Sequence, residues 1–189
     1  MKNSKILAIA LVSIFTFSSC SDDEKPVPVV EEEVITTIKA VYTQDGDVAD
    51  IITLEFKDLD DDGPLEPVIT VIGKFAQGKT YNGVVTFLNE MVDPAEDKTK
   101  EIKELALEHQ VFYQTTGTSN SISYDDTENK DSKENPIGLK SVFKPNANGT
   151  LRITLKHLPN KSATNVANGD ITNAGGETDI EADFNIVVE

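Results

Sequence analysis

The sequence predicts an all-β fold, an antiparallel β-sandwich or barrel-like structure of about nine strands with one short helix. Three observations carry this. Apolar residues recur at every second position in a series of short runs within residues 34–189. Gly, Asn and Asp clusters punctuate these runs at short intervals. Only one stretch shows helix-start chemistry, and no strand–helix–strand rhythm is present.

From Val34 the pattern has period two. Thr36, Ile38, Ala40 and Tyr42 alternate with Thr37, Lys39 and Val41, and Ile52, Leu54 and Phe56 alternate with Thr53, Glu55 and Lys57. Gln44-Asp45-Gly46-Asp47 between them reads as the turn of a β-hairpin with one buried face. Asp58 to Pro67 is a polar loop. Val68 to Ile72 and Tyr81 to Leu88 are the next strands, joined through Gly73 and Gly78. Asp93 suits a helix N-cap, Pro94 the first helical position, and Glu96-Asp97 the positive end of the helix dipole. With Ile102 and Leu105 as a short apolar stripe, this predicts a helix running to about Leu107 that caps one end of the β-structure. Strands resume at Gln110 to Thr115 and, past Gly117 to Asn120, at Ser121 to Tyr124. Asp125 to Pro136 is charged and aperiodic, which predicts an exposed loop. Leu139 to Phe143 is expected to pair with Leu151 to His157 through Asn146-Ala147-Asn148-Gly149, because Asn-Gly is a strong hairpin signal. Leu158 to Thr178 is a second long loop, and Ile180, Ala182, Phe184, Ile186 and Val188 mark the final strand.

The N-terminal part has its own logic. Lys2 and Lys5 precede an apolar run from Ile6 to Phe17 and the small pair Ser18-Ser19. The run falls short of the about 20 residues that span a bilayer, so residues 1–19 are expected to be a signal peptide. Cys20 is the only cysteine and so has no internal disulfide partner. Its place after two small residues resembles the lipobox of bacterial lipoproteins, with Phe17 where Leu is usual. That resemblance implies cleavage before Cys20, lipidation of its thiol and anchoring in a membrane; each buried CH₂ of an acyl chain contributes about 0.8 kcal/mol. Ser21-Asp22-Asp23-Glu24 resembles the surface-export signal of lipoproteins in the Bacteroidota and implies display on the outer face of the outer membrane. Residues 20–33, with Pro26, Pro28 and Glu31 to Glu33, read as an extended tether, and residues 34–189 as one β-sandwich domain. The formal net charge is −16. Such a chain repels nucleic acid and anionic lipid headgroups; it suits cations or a basic partner.

Candidate chemistry is sparse. Asp58, Asp60, Asp62 and Gly63 form a D-x-D-x-D-G pattern, in which alternate oxygen ligands can wrap Ca²⁺ and the glycine permits a sharp turn; Glu66 could add a distal oxygen. Ile69 stands where an EF-hand has its bidentate Glu, so this is no EF-hand. His109 and His157 are the only histidines. His157 is in phase with Leu151, Ile153 and Leu155, so it points inward or sits at the rim. With Glu108 they would suit Zn²⁺ or Cu²⁺ if they converge; separate histidines in structural hydrogen bonds are the alternative. Asn173, Gly175, Gly176, Glu177 and Asp179 could line a ligand site on the second loop, or belong to a crossover between sheets stabilised by Asx turns. G-x-S-x-G and H-E-x-x-H are absent from the sequence, so no enzyme activity is expected.

Asp58 to Gly63, Thr80-Tyr81-Asn82-Gly83, Leu88-Asn89-Glu90, Glu108-His109-Gln110, His157 to Lys161 and Gly169 to Asp179 together resemble a family of small Bacteroidota lipoproteins encoded beside TonB-dependent outer-membrane receptors. Members are sometimes labelled a type 1 periplasmic binding fold, which names two α/β lobes; the pattern here is all-β. The resemblance implies an accessory to nutrient uptake with a TonB-dependent receptor as partner. The expected function is non-enzymatic capture of a ligand, a metal ion or metal complex. The alternative is a structural or adhesive surface module that binds protein or glycan.

Overall fold

A computed structural model describes residues 34–60, 63–125 and 129–189. The expected signal peptide, Cys20, the tether and Asp62 lie outside the described residues. Among the described residues, ten strands form two antiparallel sheets. The larger runs β3 (Val68–Ile72), β2 (Asp47–Lys57), β1 (Thr37–Gln44), β4 (Tyr81–Asn89), β8 (Lys140–Lys144), β7 (Ser121–Tyr124). The smaller runs β10 (Glu177–Ile186), β9 (Gly149–His157), β6 (His109–Thr115). The nine strands read from periodicity are all present, and the sheets are not closed into a barrel. The tenth, β5 (Glu96–Asp97), pairs with the end of β4.

The period-two residues do what the pattern requires. Ile38, Ala40, Tyr42, Ile52 and Leu54 of the β1–β2 hairpin face Leu151, Ile153, Leu155, Ala182 and Phe184 of the small sheet in one core. Edge-on ring pairs link Phe75 to Tyr42, Tyr81 and Phe143, with centroids 5.6, 4.9 and 5.1 Å apart. Past β3, Phe75 and Gln77 hydrogen-bond the chain's end: Phe75 N donates to the Val187 carbonyl and Glu189 N to the Phe75 carbonyl.

Three expectations need correction. The helix α1 spans only Thr99–Glu104, and Asp93-Pro94 does not start it. Only Ile102 of its stripe is fully buried, while Leu105 and Leu107 stay exposed, so one turn of apolar surface cannot support a longer helix. Glu96 and Asp97 before it pair with the end of β4 instead, and Asp97 Oδ1 accepts from Thr99 N at 3.1 Å.

The second correction concerns topology. β8 and β9 do not pair; they lie in opposite sheets. The inward residues Phe143 of β8 and Leu151, Ile153 and Leu155 of β9 cover one another across the sandwich. Gly149 has no positive φ. A Cβ there would stand 2.4 Å from the Thr116 carbonyl oxygen, so the glycine admits a close backbone approach and not a tight turn. Of the three crossings between sheets, one runs through α1; the other two, at residues 116–120 and 145–148, meet at Asn120. Its Oδ1 accepts from Asn146 N (2.7 Å) and Ala147 N (3.0 Å), and its Nδ2 donates to the Thr116 and Ala147 carbonyls (2.6 and 3.0 Å).

Third, the two long loops are less open than expected. The β9–β10 loop does not cross between sheets, since those strands are neighbours. It folds over the outer face of the small sheet through two 3-10 turns, Val166–Asn168 and Ile171–Asn173; Asp170 Oδ1 supplies an Asx turn to Thr172 N. Phe112 points outward from β6 yet is fully buried, beneath Val166 and Ala174. In the loop before β8, Asp131 is buried and Lys161 reaches it from the β9–β10 loop at 3.4 Å. The same Nζ donates to the Ala106 and Pro136 carbonyls (2.6 and 3.2 Å). Burial holds the Lys161 ammonium below its ordinary value despite Asp131. Burial alone pushes the Asp131 carboxyl up, but the donors of Asn135 and Lys133 and the Lys161 charge outweigh it and leave the group below the usual carboxylate range.

Two outcomes test these contacts. Asn120→Ala removes four hydrogen bonds at the sheet crossings and is expected to lower urea-unfolding stability by about 2–3 kcal/mol, with an unchanged m-value. Asp131 has a depressed folded pKa, so its contribution is complete above the unfolded value of about 3.9 and lost as pH falls through the lower folded value. The stability gap between wild type and Asp131→Asn is therefore expected to be constant above about pH 5 and to narrow below about pH 4.

Candidate metal centre

The start of β6 and the end of β9 bring the two histidines together. In the antiparallel register His109 lies directly opposite His157, and the phase of Val111 and Leu155 turns both rings inward at the rim of the sandwich. Their ring centroids are 4.8 Å apart. Leu158 N donates to the Glu108 carbonyl at 2.6 Å, which fixes this end of the pair of strands.

Asp179 enters from β10. Thr178 pairs with Lys156 and Ile180 with Leu155, which leaves Asp179 as the extra residue of a β-bulge. Simple alternation with Ile180 would aim Asp179 outward. The bulge instead lets both residues face in. Asp179 Oδ2 lies 3.9 Å from His109 Nε2, and Oδ1 lies 3.6 Å from His157 Nδ1. One ligand atom from each of His109, His157 and Asp179 lies within 4.8 Å of the others, a grouping able to hold a metal ion. The cluster is well shielded: His109 is fully buried, while the His157 and Asp179 side chains are 13% and 10% exposed.

His109 Nδ1 is 3.2 Å from the Leu105 carbonyl, beyond the end of α1. A carbonyl only accepts, so Nδ1 carries a hydrogen, and Nε2 faces the Asp179 side of the cluster. Carbonyl-anchored imidazoles of this kind are the usual second-shell arrangement of metal-binding histidines. Glu108, expected as the carboxylate partner, reaches only His157: its Oε2 lies 3.7 Å from His157 Nε2, and its side chain is half exposed. His157 thus has a carboxylate at each ring nitrogen.

The other candidates do not converge on the histidines. Asn173 is exposed and donates to the Thr164 carbonyl. Glu177 is exposed at the first position of β10. Gly175 and Gly176 both have positive φ. A Cβ on Gly176 would stand 2.1 Å from the His157 carbonyl oxygen, so that glycine lets the loop return against β9. At the Asp58 to Gly63 turn, Asp60 Oδ2 accepts from Leu65 N at 3.1 Å, and Gly63 N donates to the Asp60 carbonyl. Glu66 is exposed. Among the described residues, Asp58, Asp60 and Glu66 do not gather as the histidine cluster does.

No protein-family model, curated protein or solved structure significantly matches this chain. Fold and site together define an all-β domain with a rim cluster of two histidines and one carboxylate.

The tautomer is directly measurable. In long-range ¹H–¹⁵N spectra of the metal-free protein, neutral His109 is expected to show a protonated Nδ1 and an unprotonated Nε2; the reverse pattern would remove the Leu105 anchor from this description.

Proposed function

We propose that this protein is a non-enzymatic surface lipoprotein that captures a transition-metal ion, Zn²⁺ or Cu²⁺, or a compact complex of one, for a TonB-dependent outer-membrane transporter. The observation that carries this reading is the convergence of His109, His157 and Asp179. Two imidazoles and a carboxylate are borderline ligands that suit Zn²⁺ and Cu²⁺ better than Ca²⁺ or Mg²⁺. At Zn–N distances of about 2.0–2.1 Å, neighbouring ligand atoms sit about 3.3 Å apart. One atom from each of the three groups lies within 4.8 Å of the others, so they need to close in around an ion to reach that spacing. Glu108 lies at Nε2 of His157, the ring nitrogen that does not face Asp179, and so steadies that ring from its exposed side without joining the three ligands. Lipidation of Cys20 would tether the domain, and the transporter as partner rests on the family resemblance of the sequence. The acidic charge of the chain favours cation approach.

The test is metal analysis of the full chain purified without chelator. Near-stoichiometric Zn or Cu is expected in the wild type, falling to background in the His109→Ala/His157→Ala double variant. Asp179→Asn, nearly isosteric, is expected to bind at least tenfold more weakly while retaining the wild-type circular dichroism spectrum. Equal transition-metal content in wild type and double variant would refute the histidine centre.

A further inference from the structure

A sheet edge left open in a soluble domain is a template for another strand, and proteins blunt such edges with charge, proline, short strands or covering segments. Three of the four edges here are blunted. β10 carries Glu177, Asp179, Glu181 and Asp183, the last two held by Thr154 and Arg152. β6 is covered: Val111 N donates to the Ile137 carbonyl, and the β9–β10 loop lies over Phe112. β7 has only four residues, and its Tyr124 hydroxyl donates to the Val111 carbonyl.

β3 is different. Its sequence, Val68-Ile69-Thr70-Val71-Ile72, has no charge and consists of β-branched residues throughout. Val68, Ile69 and Ile72 are 63%, 48% and 61% exposed. Among the described residues its backbone bonds only to β2. On the outer face beside it, Ile51 is also exposed.

We propose that β3 pairs edge to edge with β3 of a second copy of this chain, antiparallel, about a two-fold axis at Thr70. The strand is self-complementary in that register. Thr70 meets Thr70, Val68 meets Ile72 and Ile69 meets Val71, so β-branched side chains face each other along the whole contact. Beyond the strand, Glu66 of each copy falls in line with Lys74 of the other, which gives two opposite-charge pairs. Lys74 now holds Glu189 at 2.7 Å, and both are more than half exposed, so that ion pair exchanges readily. An isologous contact requires such self-complementarity. The net charge of −16 opposes association at long range, but screening over about 8 Å at physiological ionic strength limits the opposition to charges near the contact. β3 lies in the sheet opposite the one that carries the histidines.

Sedimentation velocity of the full chain over a concentration series tests this, with Thr70→Glu, Thr70→Lys and their equimolar mixture. Wild type is expected to show a concentration-dependent dimer. Either variant alone places like charges on the axis and is expected to associate about tenfold or more weakly; the mixture, which faces Glu with Lys, is expected to recover association. Should Thr70→Glu unfold by circular dichroism, Glu66→Lys mixed with Lys74→Glu tests the same register from outside the strand. A monomeric wild type, variants that dimerise like wild type through some other segment, or mixtures that fail to recover would each overturn the proposal.

Discussion

The arrangement of this domain rests on where the chain changes sheets. β6, β9 and β10 belong to one layer and β7 and β8 to the other, so the chain leaves the small sheet after Thr115 and returns at Gly149. Neither crossing is a regular turn. Both are held by a single side-chain amide, Asn120, which satisfies backbone groups of each. Once the crossings are fixed, the alternating residues of both layers have no choice but to face one another. The core is then a consequence of pleat and layer membership. The His109–His157 opposition is another consequence, because it is one rung of the β6–β9 ladder.

The histidine cluster is built from three different devices. Register places His157, a carbonyl at the end of α1 orients His109, and a bulge inserts Asp179. All three lie at one rim, where the strands end and the β9–β10 loop begins. That loop is in turn tied down by the buried Lys161–Asp131 pair and by its cover over Phe112. The rim is therefore stiffened from the side of the loop as well as from the sheet. Preorganisation of this sort lowers the conformational cost of gathering ligands around an ion.

Much of the strand content was legible because period-two patterning is local: Ile38, Ala40 and Tyr42, or Ile180, Ala182 and Phe184, announce a buried face without reference to anything else. Sheet membership was not legible. Asn148-Gly149 carries a local hairpin signal, and here the glycine serves a contact with Thr116 that no neighbour in sequence reveals. Asp93 and Pro94 carry local capping signals, but Leu105 and Leu107 find no surface to cover, so the helix stays short. In the site, the phase of His157 was visible, but its register with His109, far away in the chain, was not. Asp179 stood out only as a polar residue beside a glycine-rich loop. Its inward aim comes from an inserted backbone position, which side-chain alternation conceals.

That inserted position has a further implication. The carboxylate's direction is stored in the residue count between Gly176 and Ile180 and in no side chain. Loss of one residue there would restore plain pleating, leave the ladder from Ile180 onward intact and rotate the acid out of the cluster. A length change of a single codon can thus separate the ion-holding property from the architecture that carries it.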